Sequence, residues 1–253
     1  MAGHSKWANI KHRKGAQDKK RAKIFTRIIK EITIASRDGG GDPDSNPALR
    51  LAIQNAKGAN MPKDTIERAI KKGAGGEGEN LMEVTYEGYA PNGIAVFVEA
   101  TTDNINRTVS NVRAIFTKYG GELGKNGSLS FLFDRKGVFL LNKEDIKKWS
   151  KEEFEMTLIE GGLEEIEYDE ELVTLYTAFE DYGNMQKKLE EMELEPKTTE
   201  LQRIPTNTTA LDVKDAQQVI KLIEAMEDDD DVNTVYHNLE MTDELQKALE
   251  EEG

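Results

Sequence analysis

Residues 136–204 read KGVFLLNKEDIKKWSKEEFEMTLIEGGLEEIEYDEELVTLYTAFEDYGNMQKKLEEMELEPKTTELQRI, and the changing period of their apolar positions decides the fold. Val138 to Leu141 is a short apolar run of strand length. Ser150-Lys151-Glu152-Glu153 is a capping-box pattern, in which hydroxyl and carboxylate satisfy each other's backbone N–H groups, and it starts a helix that ends at Gly161. Glu165-Ile166-Glu167-Tyr168 and Leu172 to Ala178 form a hairpin. A helix from Tyr182 to Met192 and a strand from Thr199 to Ile204 complete β-α-β-β-α-β, the split-βαβ or ferredoxin-like arrangement.

The flanks complete a second unit around this one. Upstream, Val84 to Tyr89 alternates like a strand, Ala90-Pro91-Asn92-Gly93 is turn chemistry, and Ile94 to Val98 is a buried strand. A helix follows, with Asp103 as its N-cap, Val109, Val112, Phe116 and Tyr119 as its stripe and Gly120 as its stop. Ser128 to Phe133 reads as another strand. Downstream, a helix over 216–226 and a strand over 232–239 are too little to fold alone, but they are the α-β pair the upstream segment lacks. The expectation is a discontinuous α/β domain of 79–135 and 205–241, with the ferredoxin-like domain of 136–204 inserted in it.

Residues 1–78 have the helical period. Phe25, Ile28, Ile29 and Ile32 recur on one face from Ala22, and Asp38 to Pro43 ends that helix. Pro47 to Lys57 and Pro62 to Gly73 carry two more. The fold class is α+β in three domains.

Charge divides the chain unevenly. Residues 1–75 hold 17 Lys/Arg against 7 Asp/Glu, and residues 76–253 hold 17 against 41, within a net of −14. A segment of +10 on a body of −24 suggests a nucleic-acid-binding arm. Its candidate contacts are Lys6, Trp7, Lys11, His12, Arg13, Lys14, Lys19, Lys20, Arg21, Lys23, Arg27 and Lys30, with Asp18 the one acid among them. Lysine and arginine neutralise phosphates and release counterions. Trp7 and His12 suit stacking on an exposed base, whereas Phe25 belongs to the apolar stripe.

Other motifs carry less. Gly73-Ala74-Gly75-Gly76-Glu77-Gly78 matches G-x-G-x-x-G, but a helix precedes it and a strand follows, the reverse of what a dinucleotide site needs, so it reads as a linker. Asp38, Asp42 and Asp44 lack the EF-hand spacing, and Asp228 to Asp231 reads as a solvated acidic turn. With no cysteine there is no disulfide or thiolate site, and the Asn-x-Ser/Thr matches at Asn106, Asn126 and Asn207 are chance sequons. No Walker A, H-E-x-x-H or G-x-S-x-G sequence occurs. The reading is non-enzymatic, without cofactor or metal, with no membrane partner, and cytoplasmic.

The chain resembles the YebC/PmpR family. The resemblance is carried by Met1-Ala2-Gly3-His4-Ser5-Lys6-Trp7, Ile10-Lys11-His12-Arg13-Lys14 and Asn60-Met61-Pro62-Lys63-Asp64. It continues through Tyr86-Glu87-Gly88-Tyr89, Thr102-Asp103-Asn104, Asn106-Arg107-Thr108 and Phe133-Asp134-Arg135-Lys136-Gly137 to Val235-Tyr236-His237-Asn238. Ala90, Asn92 and Ile105 depart from the family pattern. The resemblance implies a helical N-terminal domain with two α/β domains, one inserted in the other, and no catalytic residues. It also implies a DNA-binding transcriptional regulator, with the transcription machinery as a partner. Relatives similar to a mitochondrial translational activator of cytochrome oxidase, or linked to stalled ribosomes, imply the alternative of a translation factor on ribosomal RNA.

Overall fold

A computed structural model of the chain describes residues 17–76 and 80–251, with side chains described from residue 22 to residue 249. Two compact units emerge. One comprises the described residues of 1–23, 78–134 and 204–253; the other comprises those of 24–77 and 135–203.

In the first unit, β1 (Met82–Tyr89) and β2 (Ala95–Thr102) pair antiparallel in unbroken register from Met82↔Thr102 to Tyr89↔Ala95. Asn92 (φ 61) and Gly93 (φ 74) make the turn between them, a left-handed pair that asparagine and glycine tolerate best. Helix α4 (Ile105–Lys118) leads to the short β3 (Glu122–Leu123), and α7 (Val213–Glu227) leads to β8 (Val232–His237). The sheet order is β3-β1-β2-β8. Val112 and Phe116 of α4 and Val219, Ile223 and Met226 of α7 pack against Val96, Val98 and Val235 on one sheet face. Helix α8 (Asp243–Glu251), absent from the sequence reading, adds Leu245 and Leu249 to that core, one turn apart on its inner face.

Of the expected strand over 128–133, residues 128–132 are instead a loop with a single 3-10 turn, Ser130–Leu132, and Phe133 opens the next strand. Leu129 and Phe133 are buried against Ala95, Phe97 and Tyr236 on the second sheet face, which accounts for the alternation that suggested a strand. The backbone cannot join a ladder there, because the Glu87 carboxylate takes the N–H groups of Gly127 (2.7 Å) and Leu129 (2.5 Å).

In the second unit, β4 (Phe133–Asn142), α5 (Lys151–Ile159), β5 (Leu163–Tyr168), β6 (Leu172–Ala178), α6 (Tyr182–Glu191) and β7 (Thr198–Pro205) follow the expected β-α-β-β-α-β order. The strand order β5-β6-β4-β7 is the ferredoxin-like one. Phe139, Leu141, Val173 and Leu175 of the sheet bury Phe154, Leu158, Met185 and Leu189 of the two helices. The capping box forms as read: the Ser150 hydroxyl accepts from Glu153 N, and the Glu153 carboxylate accepts from Ser150 N. Ser150→Ala should lower the unfolding free energy by about 1 kcal/mol, the usual worth of such a cap, measured by urea denaturation. An unchanged midpoint would mean that tertiary packing alone holds this helix end.

The same unit contains the three-helix bundle: α1 (Gln17–Gly39), of which the residues from Ile24 on belong here, α2 (Pro47–Gly58) and α3 (Lys63–Ala74). Helix α1 is described from Gln17, five residues before the period of its stripe becomes legible. Ile28, Ile32, Leu49, Ala52, Ile66 and Ala69 form the bundle core. Asn46 caps α2 through Leu49 N (3.1 Å) and donates to Ala35 O (2.7 Å) and Gly40 O (2.8 Å), tying two helix ends together. Gly73 is no linker glycine. It lies inside α3, where a Cβ would stand 2.3 Å from Thr33 O, so only glycine permits this approach of α3 to α1. The bundle reaches the ferredoxin-like sheet by a similar device at Gly58, whose Cβ would stand 2.1 Å from Lys197 O; alongside, Thr199 N donates to Asn55 Oδ1 (3.1 Å).

Candidate nucleic-acid interface

Lys6, Trp7, Lys11, His12, Arg13 and Lys14 lie outside the described residues. Lys19, Lys20 and Arg21 fall on the first turns of α1, with only their backbone described. Lys20, Lys23, Arg27 and Lys30 recur at i, i+3, i+7 and i+10, so the helix aligns them in one row.

The lower part of that row is engaged within the protein. Lys23 Nζ donates to Asp229 O at 2.8 Å. Burial pushes the Lys23 ammonium below its ordinary range, against the opposing pull of Asp228, Glu227, Asp230 and Asp229. Arg27 Nη2 pairs with Glu200 at 2.7 Å, and Arg27 Nε with Glu31 at 3.2 Å. Lys30 is half-buried. Lysine and arginine that already hold carbonyls or carboxylates have fewer donors to offer a phosphate.

The bundle supplies others. Lys57 ends α2, Lys71 and Lys72 lie in the last turn of α3, and all three are exposed. There the negative ends of the helix dipoles favour them. Arg68 is also exposed and donates to Asp64 O and Thr65 Oγ1, each at 3.2 Å. The sequence counted these cations in the +10 without separating them from the arm.

The acidic turn after α7 is solvated at Asp228 and Asp230, which are exposed, but Asp229 is half-buried and Asp231 is buried. It accepts from Arg107 Nη2 (2.8 Å), from the Thr108 hydroxyl (2.8 Å) and from the Thr102 hydroxyl (3.2 Å). Asp229 accepts from Asn111 Nδ2 at 3.0 Å. Hydrogen bonds to Asp231 and then Asp103 raise the Arg107 guanidinium above its already high range. The N-cap of α4 is Asn104, accepting from Arg107 N at 3.1 Å; Asp103 instead pairs with the Arg107 side chain at 2.8 Å. The Tyr86 hydroxyl is buried nearby, and burial, Asp231 and Asp229 together push its ionisation up. The residues Thr102-Asp103-Asn104 and Arg107-Thr108 therefore build one internal network with Asp231.

Among the described residues no three His, Cys, Asp or Glu side chains are placed to hold a metal ion, and no helix is long and apolar enough to cross a membrane.

Comparison with known proteins gives concordant results. Residues 5–76 match the model of the TACO1/YebC protein N-terminal domain, and residues 81–239 match that of the TACO1/YebC second and third domain. A protein of Amoebophilus asiaticus named probable transcriptional regulatory protein is 56% identical over 241 residues, covering 94% of this chain and 98% of its own. One of the same name from Thermotoga maritima is 49% identical over 254 residues, covering 99% of this chain and 97% of its own. The crystal structure of a conserved hypothetical protein from Aquifex aeolicus is similar with a TM-score of 0.79 and 47% identity, over 88% of this chain and 91% of that one.

Proposed function

The chain belongs to the TACO1/YebC family, and from that premise we propose that it is a cytoplasmic, non-enzymatic regulator of gene expression that grips nucleic acid with its basic N-terminal segment. The observation that carries the proposal is the charge partition, +10 over residues 1–75 against −24 over the rest. Relatives named probable transcriptional regulatory proteins support DNA as the target. In this reading Lys6, Lys11, Arg13, Lys14, Lys19, Lys20 and Arg21 supply affinity through phosphates, and Trp7 and His12 stack. Lys23, Arg27 and Lys30 complete the candidate contacts, with Lys23 and Arg27 already holding Asp229 O and Glu200.

One observation favours a second reading, a translation factor on ribosomal RNA. Helices α2 and α3 are joined by the four residues 59–62, the connection length of a helix-turn-helix. The first turns of α3, which would read bases in the major groove, expose Asp64 and Glu67. Carboxylates there would enter the negative potential of the duplex, so α3 is poorly suited to that groove. An arm that tracks phosphates and stacks on unpaired bases has no such requirement.

Sedimentation of a cell lysate through sucrose at near-physiological salt, with and without nuclease, tests the two. Migration at the top of the gradient, with sequence-selective binding of a promoter duplex in the same salt, is the result expected of the DNA-directed regulator. Migration with ribosomes, lost when Lys11, Arg13 and Lys14 are changed to Glu, would replace it by the translation factor. Protein that binds neither duplex nor ribosome would overturn both.

A further inference from the structure

Glu87, toward the end of β1, is a buried carboxylate, 2% exposed. Its charge is spent on one loop. Besides Gly127 N and Leu129 N on the carboxylate, Gly124 N donates to Glu87 O at 2.8 Å. Gly127 takes a left-handed φ of 85°, and Leu132 N closes the 3-10 turn on Leu129 O at 2.9 Å. Thr206 N then holds Leu132 O at 2.9 Å. Burying a carboxylate is costly unless hydrogen bonds replace its hydration, so fixing this loop is what the buried charge achieves.

The loop is anchored at both ends by these hydrogen bonds, yet it turns a large aromatic ring outward. Phe131 is 72% exposed, between Leu129 and Phe133, which are fully and almost fully buried. Single exposed apolar side chains are ordinary on protein surfaces. A ring held out by an anchored backbone is different, because it loses little entropy when something stacks on it.

The surroundings define what can approach. The body carries −24, but residues 123–133 contain no acid and one cation, Lys125. The segment that touches the loop, 204–211, also contains no acid and exposes Thr206, Asn207 and Thr208. The nearest carboxylate that segment engages is Glu240, with the Thr208 hydroxyl at 3.5 Å. A polyanion repelled by most of this unit would meet here an acid-free stretch of loop with one lysine and a flat ring, bounded by the exposed Glu122 and Asp134.

We propose that Phe131 is a stacking platform for an unpaired base of single-stranded nucleic acid, with Lys125 of the same loop for a phosphate. This gives the regulator a second contact, on its acidic body, which reads strandedness where the arm reads charge. The inference rests on the nucleic-acid reading of the arm and extends it to a target with unstacked bases. A duplex offers no free base face to Phe131, so the contact discriminates single strands from duplexes whatever the sequence.

The test is binding of a labelled single-stranded oligoribonucleotide of about 12 nucleotides, and of the duplex of the same sequence, across a salt series. Phe131→Ala should weaken the single strand about tenfold, leave duplex affinity unchanged and keep the wild-type salt slope, since no cation is removed. Phe131→Trp should bind the single strand at least as well as wild type. The ring is exposed, so both variants should melt with wild type, and the comparison is one of folded proteins. Unchanged single-strand affinity in Phe131→Ala, while Lys19→Glu/Lys20→Glu/Arg21→Glu loses binding, would overturn this inference, assign the ring to a protein contact and leave the arm standing. A wild-type protein that binds neither probe would overturn the nucleic-acid reading itself.

Discussion

Changing Lys19, Lys20 and Arg21 together to Glu should weaken nucleic-acid binding on the order of 100-fold or more at physiological salt. Each of these cations that neutralises a duplex phosphate adds about −0.9 to the slope of log K against log salt, so losing three should flatten that slope by about 2.7. The reversal also places three carboxylates where phosphates would lie, which adds repulsion to the lost attraction. Lys23→Gln is the internal control. Its ammonium already donates to Asp229 O and is depressed by burial, so its loss should change slope and affinity by less than one ordinary phosphate contact. Fluorescence anisotropy over a salt series measures all of these. Binding by the triple variant equal to wild type would remove the arm from the mechanism.

Removing the buried Asp231 carboxylate should lower stability more than removing the Ser150 cap. Asp231→Ala leaves the buried Thr102 and Thr108 hydroxyls without their shared acceptor and Arg107 without its inner partner. Arg107 is nearly half exposed, so water can replace most of what it loses, and that pair contributes little. The Thr108 hydroxyl can turn to Asn104 O at 3.0 Å, but the fully buried Thr102 hydroxyl loses its acceptor, and one unsatisfied buried group costs about 1–3 kcal/mol. A loss of about 2 kcal/mol is expected in urea denaturation. Asp231→Asn keeps an oxygen acceptor and should lose about half as much. A loss below about 1 kcal/mol for Asp231→Ala would mean that water or the neighbouring Asp229 satisfies the same hydroxyls.

The two variants should also separate. Asp231 acts within the body, so Asp231→Ala should leave the salt slope of binding intact, whereas the arm triple should leave the unfolding midpoint almost intact. Sites without shared partners behave additively, and this pair tests whether arm and network are such sites.

The sequence by itself determined what depends on near neighbours and on totals. The ferredoxin-like order was legible because each of its elements has its own period, cap or turn, from Ser150–Glu153 to the hairpin that ends at Ala178. The charge partition was legible because it is a count. Tertiary structure alone decided the rest, in each case through a partner far along the chain. Asp228 to Asp231 looks uniform as a run of carboxylates; Arg107 and Thr108, 124 and 123 positions away, select Asp231 for burial. Leu129 to Phe133 alternates like a strand, but Glu87, about 40 positions earlier, takes the N–H groups a ladder would need. Gly73 reads as a linker glycine until Thr33 O arrives where its side chain would stand. Lys23 and Lys20 share one helical row, yet Lys23 is drawn onto Asp229 O. Periodicity records which way a side chain faces. Which group waits there, and whether its charge or hydrogen bond repays the loss of water, is settled only when distant segments are packed together.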